Sequence, residues 1–445
     1  MSGARDEAEW VKTLLALDQR HVWHPFTQHQ TEAEPIVITR AKGASLFDAD
    51  GTEILDLVAS WWTCTHGHAH PAINAALAAQ AEAFEHIMFA GFTHRPAVEL
   101  AAALCRLLPG DLNRVFFSDD GSTAVEVAIK IAYQYWINSG DSRRRVLLAF
   151  DGGYHGDTLG AMSVGRGSGF FPLFRDLMVN VCVLPFPHTF EGDKDVEGRE
   201  AGALSAFQDL VADRGQEIAA LIIEPLLQGA GGMRMCRPSF LQRLVELAQE
   251  AGILVIFDEV ATGFGRTGTL FAMEQAGVVP DLVCLSKGLT AGYMPMAVTV
   301  ARDRVFDAFL DESFDRALPH GHSFTANPLA CAVGLRSLAL FEEEDTLGRI
   351  ARINASHRAL LPTLAASEDL ERPRILGTIL AVDVKDGGTY QSSRSLALKR
   401  WYLGNGLNIR PLGKTLYLLP PYCITDAELT RAYDGMLEGL DRTSP

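Results

Sequence analysis

The stretch Asp281-Leu-Val-Cys-Leu-Ser-Lys287-Gly-Leu decides how the rest of the chain is read. Four apolar residues in a row, bounded by an acid and by Ser286-Lys287-Gly288, predict a strand buried on both faces. Such a strand delivers Lys287 to its carboxyl end. Desolvating an ammonium is costly, so a lysine held there is expected to lose basicity. The alternative is a lysine that reaches past the strand end into water, as most lysines do.

Other strands of the same type surround it. Arg114-Val-Phe-Phe-Ser118, Arg145–Phe150, Ile218–Ile223 and Gly252–Phe257 are short apolar runs. Helical patterns fall between them, at Ser122–Gln134 and Pro238–Ala251. Continuous apolar strands alternating with helices predict an α/β fold with a mostly parallel sheet between helices. The flanks read differently. Short strands at Ala44–Asp48 and Glu53–Leu57 precede residue 70, and a long helix from about Asn327 to Glu343 leads to further strands at Ile375–Asp383 and Thr415–Leu419. The expected organisation is therefore a large α/β domain over 71–326 and a smaller α+β domain built from both termini, 1–70 and 327–445.

In such sheets ligands bind beyond the carboxyl ends of the strands, and those ends carry chemistry here. Asp120-Gly121-Ser122-Thr123 opens a helix. Its small residues and free N–H groups suit a phosphate, or it is an ordinary helix cap. Glu126 and Lys130 are expected to pair on the wet face of that helix. Gly152-Gly-Tyr154-His155-Gly suggests a tyrosine laid against a flat ligand, or a glycine-rich turn with a half-buried ring. Asp258 ends an apolar strand and needs a partner: a protonated ring nitrogen, an arginine such as Arg266, a metal, or the N–H groups of a helix it caps. Glu224 ends another strand and reads as a supporting acid. His320-Gly-His-Ser323 precedes the long helix and offers either a second phosphate contact or capping alone. One ligand answers phosphate, flat ring, ring nitrogen and amine together, namely pyridoxal phosphate, for which Lys287 is the Schiff-base candidate.

Composition sets bounds. The chain has 445 residues, 39 basic and 55 acidic, for a net charge of −16. That balance argues against nucleic acid as the main partner. No apolar stretch approaches a membrane span of about 20 residues, and the acidic N-terminus is not expected to be a signal or transit peptide. Seven scattered cysteines, none in a Cys-x-x-Cys pair, read as reduced thiols of a cytoplasmic protein. His66-Gly-His68-Ala-His70 has the alternation of a ligand set but lacks a nearby Cys or carboxylate, so loop histidines are preferred to a metal.

Two motifs make the chain recognisable. Asp258-Glu-Val-Ala-Thr-Gly-Phe-Gly-Arg-Thr-Gly268, followed by Ser286-Lys287-Gly288, resembles the signature of class III aminotransferases, of fold type I. Trp23-His-Pro-Phe26, Ser60-Trp-Trp62, Gly153–Thr158, Gln228–Met235 and Asn408–Tyr422 are similar to the biotin-pathway branch of that family. The resemblance implies amination of 8-amino-7-oxononanoate to 7,8-diaminononanoate, with S-adenosylmethionine or lysine as donor. The alternative is an ω-amine aminotransferase of the same family. It further implies a homodimer and a set of site residues. Lys287 bonds the cofactor, Asp258 meets its ring nitrogen, Gly121 and Ser122 hold its phosphate, and Tyr154 stacks on its ring. Gly321, His322 and Ser323 close the neighbouring subunit's site. Trp61, Phe26, Tyr417, Arg266 and Arg410 contact substrate, Arg410 through its carboxylate; of Trp61 and Trp62, one is expected in the core. Phe26 stands where the family often carries a tyrosine, and His322 where some members carry proline.

Overall fold

The computed structural model describes residues 2–385, 387–389 and 392–443. Its centre is a seven-stranded sheet in the order Leu112–Ser118, Ala297–Arg302, Leu282–Leu285, Leu254–Asp258, Ile218–Ile223, Val146–Phe150, Val181–Leu184. Six strands run the same way, and Ala297–Arg302 is antiparallel to both of its neighbours.

Alternation explains why the central strands are apolar throughout. In Leu254–Asp258, Leu254 and Ile256 pack with Ala124, Val125 and Ala128 of the helix Gly121–Asn138. Val255 and Phe257 face the other way, into a core with Phe240, Leu241 and Leu244 of the helix Pro238–Glu250. With both faces covered, a polar side chain has no wet side to occupy, so polar groups gather where the strands end.

A four-stranded sheet joins the two ends of the chain. Ile38–Lys42, Ser45–Asp48 and Glu53–Asp56 form an antiparallel ribbon, and Leu407–Asn408 adds to it in parallel, with Leu407 opposite Leu55 and Asn408 opposite Asp56. A second sheet pairs Leu370–Leu376, Ile379–Val384 and Thr415–Leu418. The single strand expected over 375–383 is thus a hairpin, turned at Gly377-Thr378. Gly377 has φ +57°, and a Cβ there would lie 2.3 Å from the backbone of Thr267 and Gly268, so only glycine fits. The helices Pro328–Glu343 and Thr346–Ala366 link the large sheet to this part. Asn327 caps the first, its side chain accepting from Ala330 N at 3.1 Å. Among the described residues no helix is long and apolar enough to cross a membrane.

Candidate active site

The carboxyl ends of five of the six co-directional strands, all but Val181–Leu184, border a cavity of about 610 Å³. Lys287 reaches it from the strand Leu282–Leu285, through a backbone turn with φ +43° at the lysine itself. Ser286 holds that turn by donating to Met296 O at 2.8 Å. The lysine faces the cavity, 4.8 Å from the Trp62 ring centre, yet protein surrounds its ammonium. Burial lowers its pKa from the ordinary 10.5, helped by Arg266 and opposed by the charges of Asp258 and Glu224.

Asp258 is buried, and its partner is His155, which donates Nδ1–H to Oδ2 at 2.7 Å. Its other oxygen accepts from Val260 N at 3.1 Å. Burial opposes charge on His155, but the hydrogen bond and charge of Asp258 more than offset it and raise the imidazole's pKa. Glu224 accepts from the backbone N–H groups of Tyr154 and Gly229, both at 3.0 Å. Burial and the nearby Asp258 push it up to about 7.

At the helix Gly121–Asn138, Asp120 accepts from Thr123 N at 2.8 Å and Thr123 Oγ1 accepts from Asp120 N at 3.0 Å. This reciprocal cap leaves Gly121 and Ser122 lining the cavity. Ser122 Oγ lies 2.7 Å from Thr158 Oγ1 and accepts from Thr158 N at 3.0 Å. A Cβ on Gly121 would meet Val260 at 2.6 Å, and one on Gly156 would meet Ser122 at 2.4 Å, so backbone and serine here are in the closest approach glycine permits. The expected Glu126–Lys130 pair does not form. Glu126 instead accepts from Gly160 and Ala161 N–H at the start of the helix Leu159–Val164, and Lys130 bonds His320. An orphan helix N-terminus outbids an exposed ion pair of a few tenths of a kcal/mol.

Tyr154 lines the cavity, its hydroxyl donating to Asp157 at 3.0 Å and its ring near-parallel to Phe171. Phe170 lies 5.8 Å from Tyr154, Phe26 lies 6.3 Å from Phe170, and Trp61 lies 5.9 Å from Phe26. This aromatic wall leads to a second cavity of about 580 Å³ lined by Trp61, Asn408 and Arg410. There the Arg410 guanidinium stands 5.1 Å from the Trp61 ring centre.

The two tryptophans diverge because Ala59, Ser60, Trp61 and Trp62 all have positive φ, from 45° to 72°. Such a left-handed run costs roughly 1–2 kcal/mol per residue. It turns Trp61 outward, 47% exposed, and Trp62 inward, 5% exposed. Trp62 donates Nε1–H to the buried Tyr417 hydroxyl at 3.1 Å, which sets Tyr417 behind the cavity wall. Arg266 is neither the partner of Asp258 nor part of the cavity lining. Its guanidinium donates to the carbonyls of Trp62, Cys64 and Pro420 at 3.0–3.2 Å and 2.9 Å, tying the tryptophan turn to the C-terminal part.

Gly321, His322 and Ser323 do not line the cavity either. His322 lies 3.6 Å from Asp119 and its ring meets His320. The three histidines of His66–His70 disperse to Ser337, Asp56 and Glu344. All seven cysteines are free thiols, four of them buried.

The family model for aminotransferase class III matches residues 26–440. The chain is a class III aminotransferase. It is 49% identical to the adenosylmethionine-8-amino-7-oxononanoate aminotransferase of Synechococcus elongatus, over 95% of this chain and 98% of that one. The crystal structure of the like-named enzyme of Methanocaldococcus jannaschii superposes with a TM-score of 0.91 at 32% identity, covering 97% and 99% of the two chains. An amine transaminase from an uncultivated Pseudomonas species, solved with pyridoxal phosphate bound, superposes with a TM-score of 0.88 at 31% identity, covering 95% and 99%.

The aminotransferase uses pyridoxal phosphate, and the residues at the strand ends fit that group. They supply a buried carboxylate, an amine of lowered basicity, an aromatic face, and a helix N-terminus where glycines admit no side chain. His155 is the residue that sequence reasoning left without a role. Its signal was present, as the polar neighbour of Tyr154 in a glycine-rich loop facing an acid in need of a partner.

Proposed function

We propose that this aminotransferase aminates 8-amino-7-oxononanoate to 7,8-diaminononanoate in biotin biosynthesis, with S-adenosylmethionine as donor. The observation that carries this is the placing of Arg410. An arginine fork stands at the far end of an aromatic wall that begins at Tyr154, in the cavity that Lys287 also lines. A substrate suited to that arrangement has its carboxylate separated from its reacting carbonyl by a long apolar chain. 8-Amino-7-oxononanoate is built that way. The likeness to relatives named for that reaction supports the same reading, and their names support the donor.

When bound, pyridoxal phosphate stabilises a carbanion beside the substrate nitrogen by drawing its electrons into the ring. The chain's residues then divide the work. Lys287 Nζ, neutral in part because burial lowers its pKa, takes the proton from the donor carbon and returns one at the new C–N centre. Asp258, backed by His155, holds a proton at the ring nitrogen. Gly121 and Ser122, with Thr158 behind the serine, hold the phosphate. Tyr154 covers one ring face, and Trp62 with Tyr417 walls the reacting end from water. Arg410 grips the acceptor carboxylate by a two-pronged pair, over Trp61 and Phe26. Phe26 has no hydroxyl, so it recognises the acceptor by contact alone. Arg266 acts from beneath by fixing the tryptophan turn.

We further infer a cytoplasmic homodimer in which His322 and Ser323 of one copy complete the phosphate site of the other. The exposure of Ser323 and the absence of both residues from the cavity of their own chain support this.

The deciding experiment incubates the holoenzyme with 8-amino-7-oxononanoate and, in turn, S-adenosylmethionine, lysine and simple ω-amines, with diaminononanoate scored by mass. Product with S-adenosylmethionine is expected. Lysine-only turnover would replace the donor, and no product with any donor would overturn the reading. Lys287→Ala is expected to lose both product and the visible absorbance of lysine-bound cofactor.

A further inference from the structure

Asp56 is buried completely, and among the described residues no Arg or Lys is hydrogen-bonded to its carboxylate. Three side chains from three separate segments converge on its carboxylate. Ser60 Oγ and His68 Nε2 donate to Oδ2 at 2.8 and 2.9 Å, and Asn408 Nδ2 donates to Oδ1 at 3.0 Å. These bonds, led by those of His68 and Ser60, keep the carboxyl below its ordinary pKa against the cost of burial.

The neighbours of these donors matter. Ser60 precedes Trp61 and sits within the left-handed run that points Trp61 outward. Asn408 lies two residues before Arg410, on the short strand that pairs in parallel with Asp56 itself. Trp61 and Arg410 then meet, ring on guanidinium, in the second cavity. One carboxylate therefore fastens both partners of that stack, the first through a strained turn and the second through a two-residue strand. Neither support is sturdy alone. Four non-glycine residues at positive φ relax unless held, and a two-residue strand at a sheet edge has little pairing of its own.

We propose that Asp56 is a positioning residue for acceptor specificity: it locks the Trp61 turn and the Arg410 strand in register, so that the stack presents one fixed fork to the acceptor carboxylate. His68 completes the lock from the third side and orients the carboxylate, since its bond to Oδ2 leaves Oδ1 for Asn408. Asp56 touches neither substrate nor cofactor. The inference rests on the reading that Arg410 holds the acceptor.

The test uses holoenzyme carrying Asp56→Asn, Asp56→Ala, Asn408→Ala or Arg410→Ala. Acceptor KM and kcat are measured at saturating donor, and acceptor binding is measured by calorimetry without donor. Asp56→Ala and Asn408→Ala are expected to raise the acceptor KM and dissociation constant at least tenfold with kcat changed less than threefold. Asp56→Asn keeps the shape and one accepting oxygen, and is expected to recover most of the affinity. If Asp56→Ala does not fold, Asn408→Ala and Asp56→Asn still decide. Unchanged acceptor binding in Asn408→Ala, or an equal fall in kcat and affinity across the series, would overturn the proposal. Arg410→Ala separates the two readings. If it leaves acceptor binding intact, the role of Arg410 fails first; if it alone weakens binding, only the role of Asp56 fails.

Discussion

Gly156→Ala puts the proposed phosphate cup under direct test. Gly156 has φ +117°, a conformation that side-chain-bearing residues rarely adopt, and a Cβ there would sit 2.4 Å from both Cβ and Oγ of Ser122 and 2.8 Å from its Cα. Carbon atoms pack at about 3.5–4.0 Å, so something must move by roughly 1 Å. Ser122 does not yield freely, because its hydroxyl is held by Thr158 at 2.7 and 3.0 Å. The backbone strain costs about 1–3 kcal/mol, and overpacking adds about 1–3 kcal/mol. Whatever part is relieved by displacing Ser122 is lost from phosphate binding. One hydrogen bond to a charged group is worth about 1.5–3 kcal/mol, which corresponds to a rise in dissociation constant of roughly 10–150-fold. The assay strips the cofactor and titrates it back by fluorescence, once with pyridoxal phosphate and once with pyridoxal. The variant is expected to lose affinity for the phosphorylated form and to bind pyridoxal nearly as before. Unchanged affinity for pyridoxal phosphate in a folded variant would refute the reasoning, and so would an equal loss for both ligands.

Two further outcomes are expected. A Cβ on Gly321 meets nothing within 4 Å in its own chain, so Gly321→Ala should leave chemical-denaturation stability within about 0.5 kcal/mol while weakening pyridoxal phosphate binding, if the segment closes a second subunit's site as proposed; unchanged binding would remove it from the site. His357 is buried neutral between the Tyr433 hydroxyl at 2.8 Å and the Thr378 carbonyl at 3.1 Å, and burial pushes its pKa from 6.5 to about 4. The unfolded chain therefore takes up a proton first as pH falls, and stability present above pH 6.5 is lost below it, by about 2 kcal/mol at pH 5. Urea titrations at pH 7.5 and 5 should show this loss, reduced by that amount in His357→Gln.

The central strands were legible because burial on both faces demands apolar runs, and sites at strand ends follow from that. The reversed direction of Ala297–Arg302 was not legible, since an apolar strand reads alike in either sense. The hairpin at Gly377 was hidden for a related reason: its two arms share one apolar pattern, and the turn is set by contact with Gly268, distant in sequence. In the site, Lys287, Asp258, Gly121, Ser122 and Tyr154 converge because each follows a strand of one sheet. Arg266 lies in the same motif as Asp258, yet its fork turns away to carbonyls 154–204 residues distant. Such pairings, like that of His155 with Asp258, depend on tertiary approach, and local pattern carries no record of it.

The strand Leu112–Ser118 lies at the sheet edge, and its one partner there is the reversed strand, Ala297 opposite Ser118. During synthesis it waits for about 180 more residues, roughly 10–40 s at about 5–20 residues per second. The pairing of Leu55 with Leu407 comes later still. The end of the strand Leu112–Ser118, which leads into Gly121 and Ser122, is therefore paired only once Arg302 has been made, whereas the support of Arg410 waits for Leu407 and Asn408.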